Sequence, residues 1–400
     1  MKKRFSSSPY PDHIIKRVDR PTTIVKEELI QQKDERDGGF HKASKGDYGD
    51  FLKKEYKRFV PKHPLPGALV SMTGLLGQVV DAPKAEFKKN ANTAWNVSSW
   101  KPMPQISTTR APNTNDPEFM AYHIKELVYF LKADAVGICK LPPYVVFSNS
   151  KVDGSKVELN HKYAVAILID QGWHAADAFN GSDWISNSMS FVSYSISAFI
   201  VCIMADYIRR LGYPARAHHA MNYQVVVPPI LLWAGLGEMC RIGDIVLNPF
   251  LGPRFKAAVI TTDLPLEIDK PIDFGLQDFC DKCGKCAREC PAQAISYDKK
   301  IMFNGYEKWD NNIEKCTSMR VGNQNGSGCG TCIKVCPWNK PFTPFHRMIN
   351  RIMRKVPAAR RFGAWADDLL GYGKPNNKKK WWLDIEEKDG VFQIPKSKNH

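Results

Sequence analysis

The chain has 400 residues, of which 43% are hydrophobic and 11% aromatic. That is too apolar for a largely disordered protein, and long enough for two or three domains or one large core with an appended module. Its formal net charge of +16 suits an anionic partner, but the cations are spread along the chain and no nucleic-acid fold motif accompanies them, so no nucleic-acid partner is expected.

Residues 1–65 are polar and rich in Lys, Asp and Gly, and read as loops and short helices lying over a core. Basic residues at 2–4 have no apolar run behind them, so an export signal is expected to be absent from this chain. The longest apolar stretches, 196–205 and 225–237, fall short of the roughly 20 residues a membrane-spanning helix needs, and Pro228 and Pro229 interrupt the second. From 116 to 266 strand-like runs at 163–169 and 257–262 flank helical patterns, which reads as an α/β domain. The clearest helix starts near Ser186 or Ser188 and ends at Arg209 and Arg210 before Gly212, with a serine cap, cations in the last turn and glycine just past the end. Ser186, Ser190, Ser193, Tyr194 and Ser197 recur along it at spacings of three or four. They form either a small-residue packing face or a stripe that admits a flat ligand. Residues 267–345 form a cysteine module, and 346–400, with Trp365, Tyr372, Trp381 and Trp382 among basic and glycine-rich loops, read as a tail packing back on the body.

The module carries the strongest signal. Cys280, Cys283, Cys286 and Cys290 precede Pro291 at the spacing C-x2-C-x2-C-x3-C-P, and Cys316, Cys329, Cys332 and Cys336 precede Pro337. This is the bacterial ferredoxin arrangement, in which three close thiolates hold one [4Fe–4S] cluster and the fourth crosses to the other. One cluster would use Cys280, Cys283, Cys286 and Cys336, and the other Cys316, Cys329, Cys332 and Cys290. A glycine-rich loop spans the long gap after Cys316. Structural zinc and a disulfide framework are the alternatives, and the third cysteine at x2 with two Cys-Pro endings favours iron–sulfur. Cys139, Cys202 and Cys240 read as buried structural thiols. No G-x-G-x-x-G, G-x4-G-K-[ST] or H-E-x-x-H occurs, so hydride cofactors are not supported.

The stretches 205–213, Ala234-Gly-Leu-Gly-Glu238, Gly252-Pro-Arg-Phe-Lys256, 262–265, Asp278-Phe-Cys280 and Cys290-Pro-Ala-Gln-Ala-Ile295 together resemble the cobalamin-dependent reductive dehalogenases of the respiratory type, with epoxyqueuosine reductase as a relative. The resemblance implies an N-terminal region (1–115) wrapping the core, a nitroreductase-like cobalamin-binding catalytic domain (116–266), a ferredoxin-like two-cluster module (267–345) and the tail. It implies base-off, non-covalent cobalamin in contact with Ser190, Ser193, Gly235, Leu236, Gly237 and Arg254. Catalytic roles fall on Tyr194, Lys256 and Asn222, and the cluster bound by Cys280, Cys283, Cys286 and Cys336 would be the one nearer cobalt. A phenol titrates near ~10, and a cation within ~4–6 Å lowers that by roughly 1–3, so Lys256 would make Tyr194 a workable proton donor. The implied substrate is a small organohalide, a chlorinated alkane or alkene. The implied partners are an upstream electron donor and a small integral-membrane anchor at the outer face of the cytoplasmic membrane, and a homodimer is compatible. The competing readings are an epoxyqueuosine-reductase-like enzyme and a non-catalytic electron carrier. His218 and His219 read as satisfied polar residues rather than ligands.

Overall fold

The computed structural model describes residues 7–56 and 106–374, apart from 152, 180, 182–184, 221 and 324–327, together with 386–388 and 391–393. Most of the loop expected between Cys316 and Cys329, the basic N-terminal run, Trp381 and Trp382 lie outside the described residues.

A short strand β1 (Lys16–Arg17) and helices α1 (Gly39–Lys45) and α2 (Asp50–Tyr56) precede α3 (Pro117–Phe130). The body continues through β2 (Ala135–Lys140), β3 (Tyr163–Asp170), α4 (Trp173–Ala178), α5 (Ile185–Arg210), β4 (Ala215–His218), α6 (Val227–Trp233), β5 (Glu238–Met239), β6 (Val246–Leu247) and β7 (Phe255–Thr262). The module comprises β8 (Ile272–Asp273), α7 (Leu276–Cys283), α8 (Lys285–Arg288), the hairpin β9 (Ile301–Phe303) and β10 (Tyr306–Lys308), α9 (Ile313–Gly322) and α10 (Thr331–Lys334). Helices α11 (Pro344–Lys355) and α12 (Ala359–Leu369) then fold back.

The central sheet has the order β2-β3-β7-β4, and every pair in it is antiparallel. This corrects the α/β reading to α+β. Strand runs and helical patterns are the same in both classes, and only the pairing direction, set between segments far apart in sequence, separates them. Side chains alternate across the pleat. On one face Val165, Ile167, Ala217, Ala258 and Ile260 pack with α3 and α5 residues, including Ile124, Val128, Ile200 and Met204. On the other, Ala164, Ala166, Leu168 and Val259 pack with Ile230, Leu231 and Leu232 of α6.

Helix α5 runs from Ile185 to Arg210 as its end signals require, with Gly212 at φ +90° just past it. By length and composition alone it could cross a membrane, which the reading of uninterrupted apolar runs did not anticipate. Of its most apolar window 61% is buried, because the helix lies on the sheet, where Ala198, Val201, Ala205 and Ile208 are buried. Its serines do not break this packing. Ser190 donates to the Ser186 carbonyl at 2.9 Å, Ser193 to the Asp170 carbonyl at 3.1 Å and Ser197 to the Tyr194 carbonyl at 2.8 Å.

Strand pairing and a buried carboxylate help join body and module. Strand β1 pairs with β8 through Lys16 with Asp273 and Arg17 with Ile272. Glu238, almost fully buried, accepts from the Thr22 hydroxyl at 2.5 Å and from the backbone N–H groups of Phe274 and Leu276 at 2.7 and 3.4 Å. Burial pushes its carboxyl above the usual range while these donors oppose the shift. Glu238→Ala leaves several buried donors without an acceptor, at about 1–3 kcal/mol each. We expect it to lower stability by about 2–4 kcal/mol, read by thermal or denaturant unfolding, with Glu238→Gln losing less.

Candidate redox and catalytic site

Each cysteine motif is shaped by a glycine that takes a left-handed backbone. Gly284, at φ +62°, ends α7 and starts α8, turning the chain between Cys283 and Cys286. Gly330, at φ +116°, does the same before α10 for Cys329 and Cys332. These are the conformations glycine adopts without strain.

Thiols near enough to influence one another's ionisation fall into two sets. Cys280 is influenced by Cys336 and Cys283, and Cys286 by Cys280, Cys336 and Cys283, with Cys332 of the other set also in range. Cys332 is influenced by Cys329, Cys316 and Cys290, and Cys316 by Cys329 and Cys290. These are the crossed quartets expected from the spacing. Among the described residues no three His, Cys, Asp or Glu side chains converge on a point that could hold a single metal ion, so the thiols do not make the tetrahedral zinc site weighed as an alternative. Spread sulfurs suit a larger inorganic core. All eleven cysteines are free thiols, which sets aside the disulfide framework. Burial holds the Cys280, Cys283, Cys286, Cys316, Cys332 and Cys336 thiols above their ordinary range, Cys336 at about 12, so assembly of a cluster would displace protons.

Cys240 adds a ninth sulfur. It is buried, donates to the Ile245 carbonyl at 3.2 Å, and lies within electrostatic range of Cys280, Cys336 and Cys286. The reading as a buried structural thiol holds for Cys139 and Cys202, while Cys240 also borders the first quartet.

The second quartet lies against the helix that carries Tyr194. A Cβ at Gly328 or Gly330 would touch Ser186 and one at Gly328 would touch Asn187, while a Cβ at Gly181 would meet Thr331 and reach Cys329 Sγ. The Lys334 ammonium donates to the Phe179 carbonyl. The first quartet instead lies beneath α12, where the Lys285 ammonium, between Cys283 and Cys286 in the chain, is 2.6 Å from Asp367. The second quartet is thus the one beside the first turn of α5.

Tyr194 and Lys256 come together. Residue 256 sits on the α5 side of β7, and its Nζ lies over the Tyr194 ring, 5.1 Å from the centroid. An ammonium there is drawn to the ring's negative face. Asn222 is anchored through Arg216. Its Oδ1 accepts from Arg216 Nη2 at 2.6 Å, and Arg216 also donates to His218 Nδ1 at 2.7 Å, while Asn222 Nδ2 is buried with no hydrogen-bond partner among the described residues. Arg216 and His218 alternate with Ala215 and Ala217, which pack on the α5 side, so they project from the opposite face of the sheet. The neighbouring Tyr223 lies close to Tyr194. Tyr223 donates to the Ala257 carbonyl at 2.6 Å, and its phenol is pushed well above the ordinary range by burial and by the nearby Tyr194 phenol. His218 is satisfied, as expected, by Arg216, the Gln224 N–H and Thr261.

Three of the residues expected to touch cofactor have other work. Arg254 is an internal clamp. It makes two bonds to the Asp170 carboxylate at 2.7 and 3.0 Å and one to Asn339 Oδ1 at 2.6 Å, binding the end of β3 to the chain after Cys336. Cβ atoms at Gly235 and Gly237 would collide with the Lys270 and Leu247 carbonyls respectively, so these glycines serve close chain packing. Gly235 and Leu236 do border a cavity of about 30 Å³ with Tyr10, Arg17 and Asp134, which has room for a water or two and no more. Ser190 and Ser193 lie on the first half of α5, bonded to the Ser186 and Asp170 carbonyls.

The neighbourhood of Ser190 has features the sequence did not reveal. Gln171 Oε1 and Asn187 Nδ2 are buried with no hydrogen-bond partner among the described residues, while Gln171 Nε2 is held by Ser190 at 2.8 Å. One orphan acceptor and one orphan donor, both amide atoms, fit a ligand edged with amides, as a corrin ring is.

The 4Fe-4S dicluster domain family matches residues 279–340. A tetrachloroethene reductive dehalogenase of Desulfitobacterium hafniense is 39% identical over 208 residues, 48% of this chain and 36% of that protein. One from Sulfurospirillum multivorans is 26% identical over 329 residues, 73% of this chain and 64% of that protein. Among solved structures, a catabolic reductive dehalogenase in complex with 3-bromo-4-hydroxybenzoic acid matches with a TM-score of 0.85 and 43% identity over 99% of this chain and 54% of its own. A reductive dehalogenase described in connection with B12-dependent dehalogenation matches with a TM-score of 0.87 and 42% identity, over 100% and 54%. The chain therefore spans about half the length of these solved relatives.

Proposed function

From its kinship with the reductive dehalogenases, we propose that this chain carries the core of an enzyme that removes halogen from small organohalides, with chlorinated alkanes and alkenes as the substrate class. The observation that carries this reading is Lys256 Nζ over the ring of Tyr194, on a helix whose first turns abut one of two crossed cysteine quartets. An electron carrier alone would need no such pair.

The body is read as a nitroreductase-like cobalamin domain, in which Ser190, Ser193, Gln171 and Asn187 would hold base-off cobalamin. When bound, that group would supply the reduced metal centre that carbon–halogen cleavage needs, with electrons from the clusters. The protein's own share is positional and protonic. Tyr194 holds its phenolic proton at Oη beside the reacting carbon and delivers it as halide departs. Lys256 steadies the phenolate that forms. The balance is an electron pair and a proton in, with halide out and C–H in place of C–X. Tyr223 gives its own proton to the Ala257 carbonyl and acts as a wall.

Iron, cobalt and halide release from anaerobically reconstituted protein test the reading. About eight irons and one cobalt per chain, with halide released from tetrachloroethene or 3-bromo-4-hydroxybenzoic acid, would support it. Eight irons with no cobalt bound under cobalamin excess would remove it.

A further inference from the structure

Helix α11 has no buried residue. Phe345, Met348, Ile352 and the following Val356 are all exposed, and at spacings of three and four they form one stripe along it. The same helix carries Arg347, Arg351, Arg354 and Lys355 and no acid. Helix α12 exposes a second stripe, Phe362, Trp365 and Leu369, with Leu370 beside it, Leu369 being 69% exposed. Arg361 adds a further exposed cation. Apolar groups of this size among cations mark a contact surface rather than ordinary solvent-facing helix.

What lies beneath is informative. The hairpin is strapped to the first quartet by ion pairs. Arg360 reaches Asp278 at 2.7 Å, Arg288 reaches Asp368 at 2.9 Å, and buried Asp367 bridges Lys285 and Lys340 at 2.6 Å each. Of the two acids of α12, Asp367 is turned inward, and the more exposed Asp368 is neutralised by Lys285 and Arg288, which leaves the outer surface net positive. Asp281 and Glu289 are the exposed acids nearest in sequence to that quartet.

We propose that the α11–α12 hairpin is the docking surface for an acidic one-electron carrier protein, which passes its electron to the first quartet's cluster. The proposal rests on the clusters of the functional reading and adds to it where electrons are admitted and from what kind of partner. An apolar centre with a charged surround is the usual anatomy of a contact between proteins, and opposite charge raises the encounter rate. Redox encounters are small and transient. An anionic lipid surface would account for the cations and aromatics but not for their position over the first quartet; a carrier accounts for both. In the step itself one electron leaves the carrier and enters the first cluster, and no bond or proton moves.

The test is stopped-flow bleaching of the reconstituted full chain mixed with a reduced acidic two-iron ferredoxin, with dithionite as the small-reductant control. The wild-type rate with ferredoxin should fall steeply with salt. Arg347→Glu with Arg351→Glu should slow it about tenfold or more, and Trp365→Ser with Leu369→Ser should slow it as well, while reduction by dithionite is unchanged in both variants. Equal ferredoxin rates in wild type and variants would overturn the proposal. So would variants that keep the ferredoxin rate but lose cosedimentation with phosphatidylglycerol vesicles, which would assign the surface to lipid. Because the readout is cluster bleaching, failure here leaves halide release untouched, and failure of dehalogenation leaves this result standing.

Discussion

Tyr194→Phe should lower the rate of halide release by about 10²–10⁴ while leaving iron and cobalt content at wild-type levels, the range expected when a positioned general acid is removed. The substitution is clean because everything but the proton survives it. The phenyl ring keeps its edge contact with Phe191, whose centroid is 6.4 Å away, and its face under Lys256. Removal of the Lys256 charge, as in Lys256→Met, should also suppress turnover, since the phenolate would form without a neighbouring cation. Tyr223→Phe is the contrasting variant. Its hydroxyl bonds to the Ala257 carbonyl, so the loss should show as about 1 kcal/mol of stability rather than as lost chemistry. Full halide release from Tyr194→Phe would end the assignment of the proton to that residue.

The second large effect concerns ligation. Cys290 follows the first three cysteines in the chain but keeps company with Cys316, Cys329 and Cys332. Cys290→Ser should therefore damage the second cluster and spare the first, while Cys336→Ser should do the reverse. Iron should fall from about eight to about four per chain in each case. The two variants should leave different cluster signals in paramagnetic resonance, and halide release should cease in both. A Cys290→Ser protein that kept the second cluster's signal and lost the first's would show that ligation is not crossed.

How much of this could be read beforehand depended on how local the information was. Ligand cysteines must be cysteines at short fixed intervals, so the module and its crossed sets were legible in spacing alone. Helix α5 was legible from its periodicity and end residues. Tyr194 and Lys256 emerged only through likeness to a family, because one lies on a helix and the other on a strand, and nothing local joins them. Tyr223, beside Tyr194, could not be singled out beforehand, because its place depends on how the chain leaves β4, where Ala215 pairs with Thr262 and His218 with Val259 of β7. The Arg254 clamp was hidden because its partner Asp170 is 84 positions away, and Glu238 was passed over because Thr22 is 216 positions away.

The pairing of Lys16–Arg17 with Ile272–Asp273, with Val25 bridged to Tyr306, sets a timetable for synthesis. A ribosome adding about 5–20 residues per second makes these partners on the order of tens of seconds apart. Through that interval the early segment has no strand to join, and Thr22 waits for the Glu238 carboxylate that will accept its hydroxyl. This segment is thus made well before its partners and is among the last to settle, closing over a body that has had time to fold and a module still awaiting its iron and sulfide.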